Sequence, residues 1–443
     1  MLQDMRDKAC IAGLGQTKQG KLPGMSADEI AIWAFKLALE DSGLKKEQID
    51  GLMTQQSYGG AGDTLKIGRE LGINPKIGTS VIATGAAGAA MVHYAAMVVN
   101  AGMANYVAVV YGTNQATNRN RFATGDPESA SPFGMFNPGA FAAMNFRRRM
   151  ALYGTTERQL GTVAVTQRKH AQMNPVAVLK DPLTIEDYLR SRYVIAPLHV
   201  YDFCHITDGG HCVIVTTPER ARDLKQPPVM IMGMGRSDAL QGLATPDEAL
   251  MQRIQHQSAK MVYEMAGVRP DDINALYVQD AYTPAVLSAL ENYGFCKEGE
   301  AGEFIQAGRI ELGGELPVNL NGGQSSETYM VGWGHTADAI RQLRGVCGPR
   351  QVEGAEIIQC TYSGGLFDHT LSTIFRRPLS GEVPWQEPTA SHCPKSTKSI
   401  ACSGKQRGAE NYIFSAAKIA ATYGIPPARI VPNACRPTSN GVR

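Results

Sequence analysis

ACIAGLG at residues 9–15 returns as VMIMGMG at residues 229–235, and this repeat decides the fold. Each stretch predicts a short buried strand ending in Gly-x-Gly, followed by a helical stretch that opens on acidic residues. Gly43 and Gly267 suit the ends of the two helices, and a leucine lies nine residues beyond each of them. Strand, helix and strand in this order require right-handed crossovers and a mostly parallel sheet. The repetition therefore predicts two similar α/β halves packed together.

The repeat divides the chain of 443 residues into three parts. Residues 1–228 are expected to form the first half and residues 229–378 the second half, and residues 379–443 form a tail of uncertain structure. Within the first half, about 113–198 contains segments too polar and turn-rich for core elements. We expect this segment to be an insertion that caps the site.

Composition favours an enzyme that acts on a small molecule. The chain has 43 Lys and Arg against 41 Asp and Glu, a net charge of +2. This balance gives no general electrostatic argument for binding nucleic acid or an anionic membrane surface. The 47 glycines suit a large compact enzyme with many close backbone approaches. We therefore expect no nucleic acid partner and no membrane association.

Cysteine usage indicates a reducing compartment. The nine cysteines are an odd number, are widely scattered and form no C-x-x-C pair. Because the first residues also lack the apolar run of a signal peptide, we expect a cytoplasmic protein. His392, Cys393, Cys402 and Cys435 match no structural zinc spacing, and we expect no metal ion.

One long stretch of the sequence has no charged residue and could therefore be a membrane-spanning helix. No Asp, Glu, Lys or Arg occurs in residues 77–118, and residues 81–102 have about the length of a bilayer span. The stretch is dominated by Ala and Gly, is interrupted by polar residues such as His93 and Asn100, and lacks basic flanking loops. It therefore predicts a helix buried on all sides inside a large protein.

Four turns can surround a ligand. In α/β sheets, ligands bind beyond the carboxyl ends of the strands, where glycines let the backbone approach and helix N-termini offer free N–H groups. The four turns are TGAAG at 84–88, QDAYTP at 279–284, NLNGGQSSETY at 319–329 and YSGG at 362–365. Each turn alone has a plain structural interpretation, such as close packing or an ordinary turn.

Taken in order, these turns resemble the thiolase superfamily, in its sterol-carrier-protein-type thiolase and lipid-transfer branch. Residues 319–329 resemble the family's N-P-x-G-G-x-x-S-x-G-H loop, QDAY at 279–282 resembles its N-E-A-F or H-D-x-F motif, and YSGG at 362–365 resembles its closing C-x-G-G turn. The resemblance implies a duplicated thiolase fold of two βαβαβαββ halves in five α/β/α/β/α layers.

The same resemblance implies a ligand and partners. An acyl-CoA thioester would be the substrate, with no separate cofactor, and it would bind near Gly85, Gly323, Gly364 and Gly365. A homodimer is implied as well. So is a small zinc-ribbon/OB-fold partner protein that completes the acyl-CoA channel.

Departures from the family pattern change the expected chemistry. The nucleophilic cysteine falls on Gly85, or on Ile82 in the nearest alternative alignment, and neither residue carries a thiol. The covalent acyl-cysteine step of a thiolase is therefore not expected. Tyr329 replaces the histidine that would activate the cysteine. Tyr362 falls on the second cysteine, with Cys360 as a less favoured substitute.

The remaining groups suit retro-aldol cleavage of a β-hydroxyacyl-CoA. Gln279 stands where the family's Asn or His holds a water in the oxyanion hole, and with backbone N–H groups around Gly364 it can stabilise a thioester enolate. The phenol of Tyr329 can exchange a proton with an alkoxide-like oxygen, with Tyr282 near enough in sequence to assist. Aldolases of this branch that lack the nucleophilic cysteine resemble this chain at the position of Tyr329. At the position of Gln279, however, they have Tyr instead of Gln.

The sequence therefore predicts a C–C lyase of the aldolase type in lipid or steroid side-chain catabolism. The candidate catalytic residues are Tyr329, Gln279, Tyr362 and Tyr282. Two alternatives stay open. One is an acyltransferase of the thiolase or Claisen type without a covalent intermediate, and the other is a catalytically silent thiolase-like subunit of a complex.

Overall fold

A computed structural model describes residues 3–56, 62–81, 83–118, 138–238, 248–364 and 369–379. The strands are β1 (Cys10–Gln16), β2 (Gly51–Thr54), β3 (Ile77–Thr79), β4 (Val107–Thr113), β5 (Tyr193–Ile195), β6 (Leu198–His199), β7 (Gly209–Thr216), β8 (Val229–Asp238), β9 (Ala275–Val278), β10 (Ile357–Gly364) and β11 (His369–Arg376). The helices are α1 (Ala27–Ser42), α2 (Thr64–Leu71), α3 (Ala87–Asn100), α4 (Gln115–Asn118), α5 (Pro138–Tyr153), α6 (Glu157–Met173), α7 (Ile185–Arg190), α8 (Pro218–Ala221), α9 (Glu248–Ala266), α10 (Pro284–Asn292), α11 (Ala301–Gln306), α12 (Gly323–Ser326) and α13 (Trp333–Leu343). Apart from Leu379, the tail lies outside the described residues, as do residues 119–137 of the expected insertion.

A nine-stranded sheet joins the two copies of the repeat, in the order β3-β2-β4-β7-β1-β8-β11-β10-β9. From the antiparallel β1–β8 junction, the first copy runs outward as β1, β7, β4, β2 and β3, and the second as β8, β11, β10 and β9. The ninth strand has a further neighbour at Val318, which forms a single parallel bridge with Leu276. Pro317 lacks the N–H that a longer strand would need there. Matching strands therefore lie at matching distances from the centre.

The prediction of a mostly parallel sheet is wrong. In the described residues, β2–β3, β2–β4 and β9–β10 pair in parallel, whereas β1–β7, β1–β8, β4–β7, β8–β11 and β10–β11 pair antiparallel. The reason lies in the last strand of each half, which returns beside its predecessors. Only residues 365–368 separate β10 from β11, whereas a parallel pair needs a connection of about a dozen residues or more.

The repeated Gly-x-Gly lets the outer helices lie directly on the strands. A Cβ atom at Gly15 would lie 2.0 Å from the carbonyl oxygen of Ala34 in α1, and one at Gly235 would lie 2.2 Å from that of Ser258 in α9. Both distances are far below any real carbon–oxygen contact. The two glycines therefore have the same role in the two halves, since each lets a helix pack directly against its strand.

Helices form five layers with the strands. The outer helices α1 and α2 pack on the first half, and α9 and α10 pack on the second half. Between the halves lie α3 and α13, each of which contacts strands of both copies. Most of α3 is buried, because its Ala and Gly residues allow close packing. The prediction of burial on all sides is nevertheless wrong, since Tyr94 and Met97 are exposed on one face of the helix. None of the described helices has the length and apolar character of a bilayer span.

Candidate active site

An amide fills the space beside Gly85, the position that the family resemblance assigns to the nucleophile. Gly85 lies in the short 3-10 turn directly before α3. A Cβ atom at Gly85 would lie 2.6 Å from Nε2 of Gln279 and 2.7 Å from the carbonyl oxygen of Ser363. No larger residue fits without movement of these groups. Ile82, the alternative position of the nucleophile, lies outside the described residues.

The hydrogen bonds of Gln279 orient its amide. This residue directly follows β9, and its backbone N–H donates to the carbonyl oxygen of Thr361 at 2.9 Å. Its side-chain Oε1 accepts from the backbone N–H of Ser363 at 3.1 Å. Because the accepting oxygen is thereby assigned, Nε2 is the end that faces Gly85. The second half thus aims an N–H donor at the start of α3.

Tyr329 lies in the buried loop that connects α12 to α13. Its backbone N–H donates to the carbonyl oxygen of His205 at 2.8 Å, and its side chain is 5% exposed. The ring belongs to the inner core between the two halves, together with residues around Gly85 and with Tyr362. Three residues later, a Cβ atom on Gly332 would lie 2.8 Å from the ring of Tyr362 and 3.5 Å from Oε1 of Gln279. The structure therefore brings three predicted residues, Gln279, Tyr329 and Tyr362, to one buried region.

Tyr362 is held as a neutral hydroxyl. Its phenol hydroxyl hydrogen-bonds to Oγ1 of Thr336 at 2.7 Å, and burial raises the pKa of Tyr362 well above its ordinary value. A phenol in this setting stays protonated and can donate a hydrogen bond, but it is a poor base. Its predicted catalytic part stays a prediction, and the described contacts give it a packing role against Gly332.

Tyr282 occupies a different core. Its half-buried ring packs edge-on against Phe203, with 5.3 Å between ring centroids and an interplanar angle of 89°. Both rings pack with the core of the outer helices of the second half, whereas Tyr329 belongs to the inner core. The assistance of Tyr282 in catalysis stays a prediction.

The predicted binding glycines have distinct settings. Gly323 begins α12 with a positive φ of 63°, and a Cβ atom there would lie 2.5 Å from Oδ2 of Asp280. Gly364 ends β10 opposite His369. Gly365 lies outside the described residues. Contact of these glycines with substrate stays a prediction.

A buried polar network holds the QDAY turn against the 319–329 loop. Nε2 of His335 lies 3.1 Å from Oδ1 of Asp280, and its Nδ1 faces the amide of Asn321 at 3.0 Å. Asn321 in turn donates to the carboxyl group of Glu327. Asp280 also accepts from the side-chain amide of Gln167, a residue of α6, at 2.7 Å. The segment expected to cap the site thus contributes α6 to the support of the loop.

Glu327 is a further candidate residue, which the sequence did not reveal. Burial raises the pKa of Glu327 to about 7, with the charge of Asp338 as the next cause. This carboxyl group therefore titrates near neutrality, two residues before Tyr329. A single charged residue in a loop of small polar residues was the available signal, but nothing in the sequence shows that the loop is buried.

Comparison with known proteins places these features in a family. The family model described as "Thiolase C-terminal domain-like" matches residues 241–377. The steroid side-chain-cleaving aldolase of Thermomonospora curvata is 36% identical to this chain over 365 residues, which cover 76% of this chain and 90% of that protein. The chain belongs to the thiolase superfamily. The predicted superfamily, branch and fold class are confirmed.

Two further relatives of this thiolase-superfamily chain are similar over most of its length. The 17-hydroxy-3-oxo-4-pregnene-20-carboxyl-CoA lyase of Mycobacterium tuberculosis is 36% identical over 383 residues, 81% of this chain and 97% of that protein. The solved structure of the "Ltp2-ChsH2(DUF35) aldolase" superposes with a TM-score of 0.77 at 34% identity, over 84% of this chain and 98% of that chain.

A thiolase that works through an acyl-enzyme needs a thiolate, and the described thiols do not supply one. Burial raises the pKa of each of these thiols above its ordinary value, so they stay protonated. They belong to Cys10, Cys204, Cys212, Cys296, Cys347 and Cys360. Cys360, the substitute considered for the second cysteine, is fully buried in β10.

In the residues that the structure describes, no cluster of three or more His, Cys, Asp and Glu could hold a metal ion.

Proposed function

We propose that this protein is a carbon–carbon lyase that cleaves a β-hydroxyacyl-CoA by retro-aldol chemistry. The observation that carries this proposal is the contact at Gly85, where the amide of Gln279 takes the space that a nucleophilic side chain would need. An amide N–H donor cannot form an acyl-enzyme, but it can stabilise an enolate. The names of the two 36%-identical relatives, an aldolase and a lyase, support the same reaction class.

The reaction needs one proton acceptor and one oxyanion site. Tyr329, reacting as its phenolate, takes the proton of the β-hydroxyl group, and the bond between the α- and β-carbons breaks as the β-carbon becomes a carbonyl. The bonding pair passes into the thioester as an enolate, whose oxygen accepts from Nε2 of Gln279 and from backbone N–H groups near Gly364. The proton held by Tyr329 then passes to the α-carbon, directly or through water, which releases the shorter acyl-CoA, restores the phenolate and consumes no cofactor.

A steroid side chain is the proposed acyl group. The lyase relative is named for 17-hydroxy-3-oxo-4-pregnene-20-carboxyl-CoA. In that molecule the 17-hydroxyl group is β to the thioester carbonyl, so retro-aldol cleavage yields a 17-ketone and a three-carbon acyl-CoA. We propose a role in lipid side-chain catabolism, and the cytoplasmic location that the cysteine usage predicts is part of this proposal.

A partner protein and a second copy are part of the proposal. The similar solved structure carries the name of a second protein beside the aldolase. We propose that a small zinc-ribbon/OB-fold protein likewise completes the acyl-CoA channel here. A homodimer is supported by the edge strand β3 and by exposed apolar side chains on and just after α3, including Met97 and Met103.

The test is product analysis with the full-length protein, alone and with the co-encoded partner. The substrate is 17-hydroxy-3-oxo-4-pregnene-20-carboxyl-CoA, and mass spectrometry measures the 17-ketone and the three-carbon acyl-CoA. The lyase produces both in equal amounts without added free CoA. Product formation that requires free CoA supports the acyltransferase alternative, and no turnover in either state supports the silent subunit.

A further inference from the structure

Several side chains near the candidate site have buried polar atoms without a hydrogen-bond partner in the part of the chain that the structure describes, among them Gln324 and Thr328 of the 319–329 loop. Two more lie together on neighbouring strands. They are Gln16, the last residue of β1, and His211 in β7. Both amide atoms of Gln16 and both ring nitrogens of His211 are buried without a partner. Buried polar groups are nearly always paired in folded proteins, so unpaired polar atoms on two neighbouring side chains need an explanation.

The two side chains lie on the same face of the sheet. Gln16 and His211 are directly opposite each other in the antiparallel β1–β7 pair, and opposite residues project from the same face of a sheet. Val213 of the same strand belongs to the inner core, and His211, two residues earlier, projects to that side. Gln16 is half-buried at the carboxyl end of β1, the edge at which ligands enter α/β sheets.

Trp333 lies between this pair of side chains and the candidate active site. Its indole stacks on the ring of His211, with 6.3 Å between centroids and an interplanar angle of 14°. The same indole donates to the side chain of Gln55 at 2.8 Å and would lie 2.7 Å from a Cβ atom at Gly88, three residues after Gly85. It follows Tyr329 by four residues along the chain. The unpaired groups therefore border the inner region that contains Tyr329 and Gln279.

A second buried histidine shows that burial alone does not leave an imidazole unpaired. His93 in α3 also faces the inner core, and its Nε2 lies 2.8 Å from Oγ1 of Thr373. Burial lowers the pKa of both His93 and His211 to about 3, so both rings are neutral. A neutral ring offers one donor and one acceptor. In His93 a protein hydroxyl occupies one of them, whereas none of the described residues occupies either one in His211.

We propose that His211 and Gln16 form a specificity subsite that hydrogen-bonds an oxygen function of the acyl group, a keto or hydroxyl group other than the reacting β-hydroxyl. This inference rests on the proposed function, because that function brings the acyl group to this region. A keto oxygen accepts from the ring N–H of His211 and from the amide of Gln16. A hydroxyl group uses the same donors and also donates to the free ring nitrogen.

The test measures binding without turnover. The probes are 3-oxo-4-pregnene-20-carboxyl-CoA, its 3-hydroxy counterpart and 4-pregnene-20-carboxyl-CoA without an oxygen at that position, all lacking the 17-hydroxyl group that cleavage requires. Calorimetry with the full-length protein and its co-encoded partner gives the dissociation constants. We expect the oxygenated probes to bind at least about tenfold more tightly than the deoxygenated one.

Variants assign this preference to the subsite. His211→Phe removes both ring hydrogen-bonding groups and abolishes the preference, His211→Gln restores part of it, and Gln16→Leu reduces it from a half-buried position that tolerates change. Circular dichroism checks that each variant folds, and if His211→Phe does not fold, Gln16→Leu and His211→Gln decide. A wild-type protein that binds all three probes equally, or variants that keep the full preference, overturn the subsite.

These outcomes are separable from those for the lyase. Turnover of the 17-hydroxy substrate without any preference among the three probes contradicts the subsite and leaves the lyase intact. A preference that depends on His211, in a protein that produces no ketone, supports the subsite and contradicts the lyase.

Discussion

In the first half, α3 begins on Gly and Ala residues, and its N-cap, Ala86, offers no side-chain hydrogen bond. In the second half, the loop before α13 carries Tyr329 and lies beside Gln279. α3 and α13 occupy equivalent places in the inner layer. The N-terminus of α3 has only Gly and Ala residues, whereas the loop before α13 carries side chains with functional groups. In this duplicated fold, a group from the second half thus fills the space beside the glycine that precedes the inner helix of the first half.

The scaffold under these two regions has not diverged in the same way. Gly15 and Gly235 allow equally close approach of α1 and α9. The halves therefore share their packing rules and differ in the groups at the carboxyl ends of the strands. Substitutions at the site should change activity, and substitutions in the paired glycines should change stability.

The largest effect is expected at Tyr329. Removing its hydroxyl group in Tyr329→Phe removes the proton acceptor, and kcat should fall about 10²- to 10⁴-fold, the range of general acid–base catalysis. Steady-state kinetics with the 17-hydroxy substrate measure this change. Tyr193→Phe is the matched control, because that phenol is exposed and bonds to Glu157 at 2.9 Å. Equal activity of the two variants would contradict the assignment of Tyr329.

Gln279 should give the next largest effect. Gln279→Leu removes the N–H donor aimed at Gly85, and kcat should fall about 10²- to 10³-fold, as for other lost oxyanion-hole donors. The binding of a non-reacting acyl-CoA should change much less than kcat, because the enolate forms only during the reaction. Calorimetry and steady-state kinetics on one preparation separate the two. A loss confined to binding would show that the amide only positions the substrate.

Glu327 should make stability depend on pH. An unfolded glutamate ionises near pH 4.5, whereas the buried carboxyl group keeps its proton up to a pKa of about 7. The folded state therefore loses stability as the pH rises from about 4.5 to about 7, by about 3 kcal/mol in total. Glu327→Gln should flatten this part of the stability curve, whereas the exposed control Glu353→Gln should not. Urea unfolding at several pH values measures it, and an unchanged curve contradicts the raised pKa.

The paired glycines should give the smallest and most symmetrical effect. Gly15→Ala and Gly235→Ala each force a helix away from its strand and should reduce the free energy of unfolding by about 1–3 kcal/mol. Gly68→Ala in α2 is the control, since its nearest contact, Leu52 Cδ2, is 3.5 Å away. A large cost in one half alone would show that the two copies do not pack alike.

The sequence predicts the scaffold better than the site. Glycines, helix ends and apolar runs are local signals, so the repeat and the mostly buried α3 could be read directly. The directions of β7 and β11 could not, because a strand pattern is the same in parallel and antiparallel pairs. The orientation of Gln279 depends on Ser363, 84 residues away, and the carboxyl group of Glu327 accepts from Asn174 at the end of α6, 153 residues away. Such long-range contacts leave no local pattern.

The absence of a covalent intermediate is tested most directly by the intact mass of the protein during turnover. The full-length chain, with its co-encoded partner, is mixed with the 17-hydroxy substrate, quenched in acid within one turnover and weighed by mass spectrometry. We predict an unchanged protein mass at every time point while the ketone accumulates. A transient mass increase equal to the acyl group, mapped to any cysteine, would contradict the account and restore acyl transfer through an enzyme thioester.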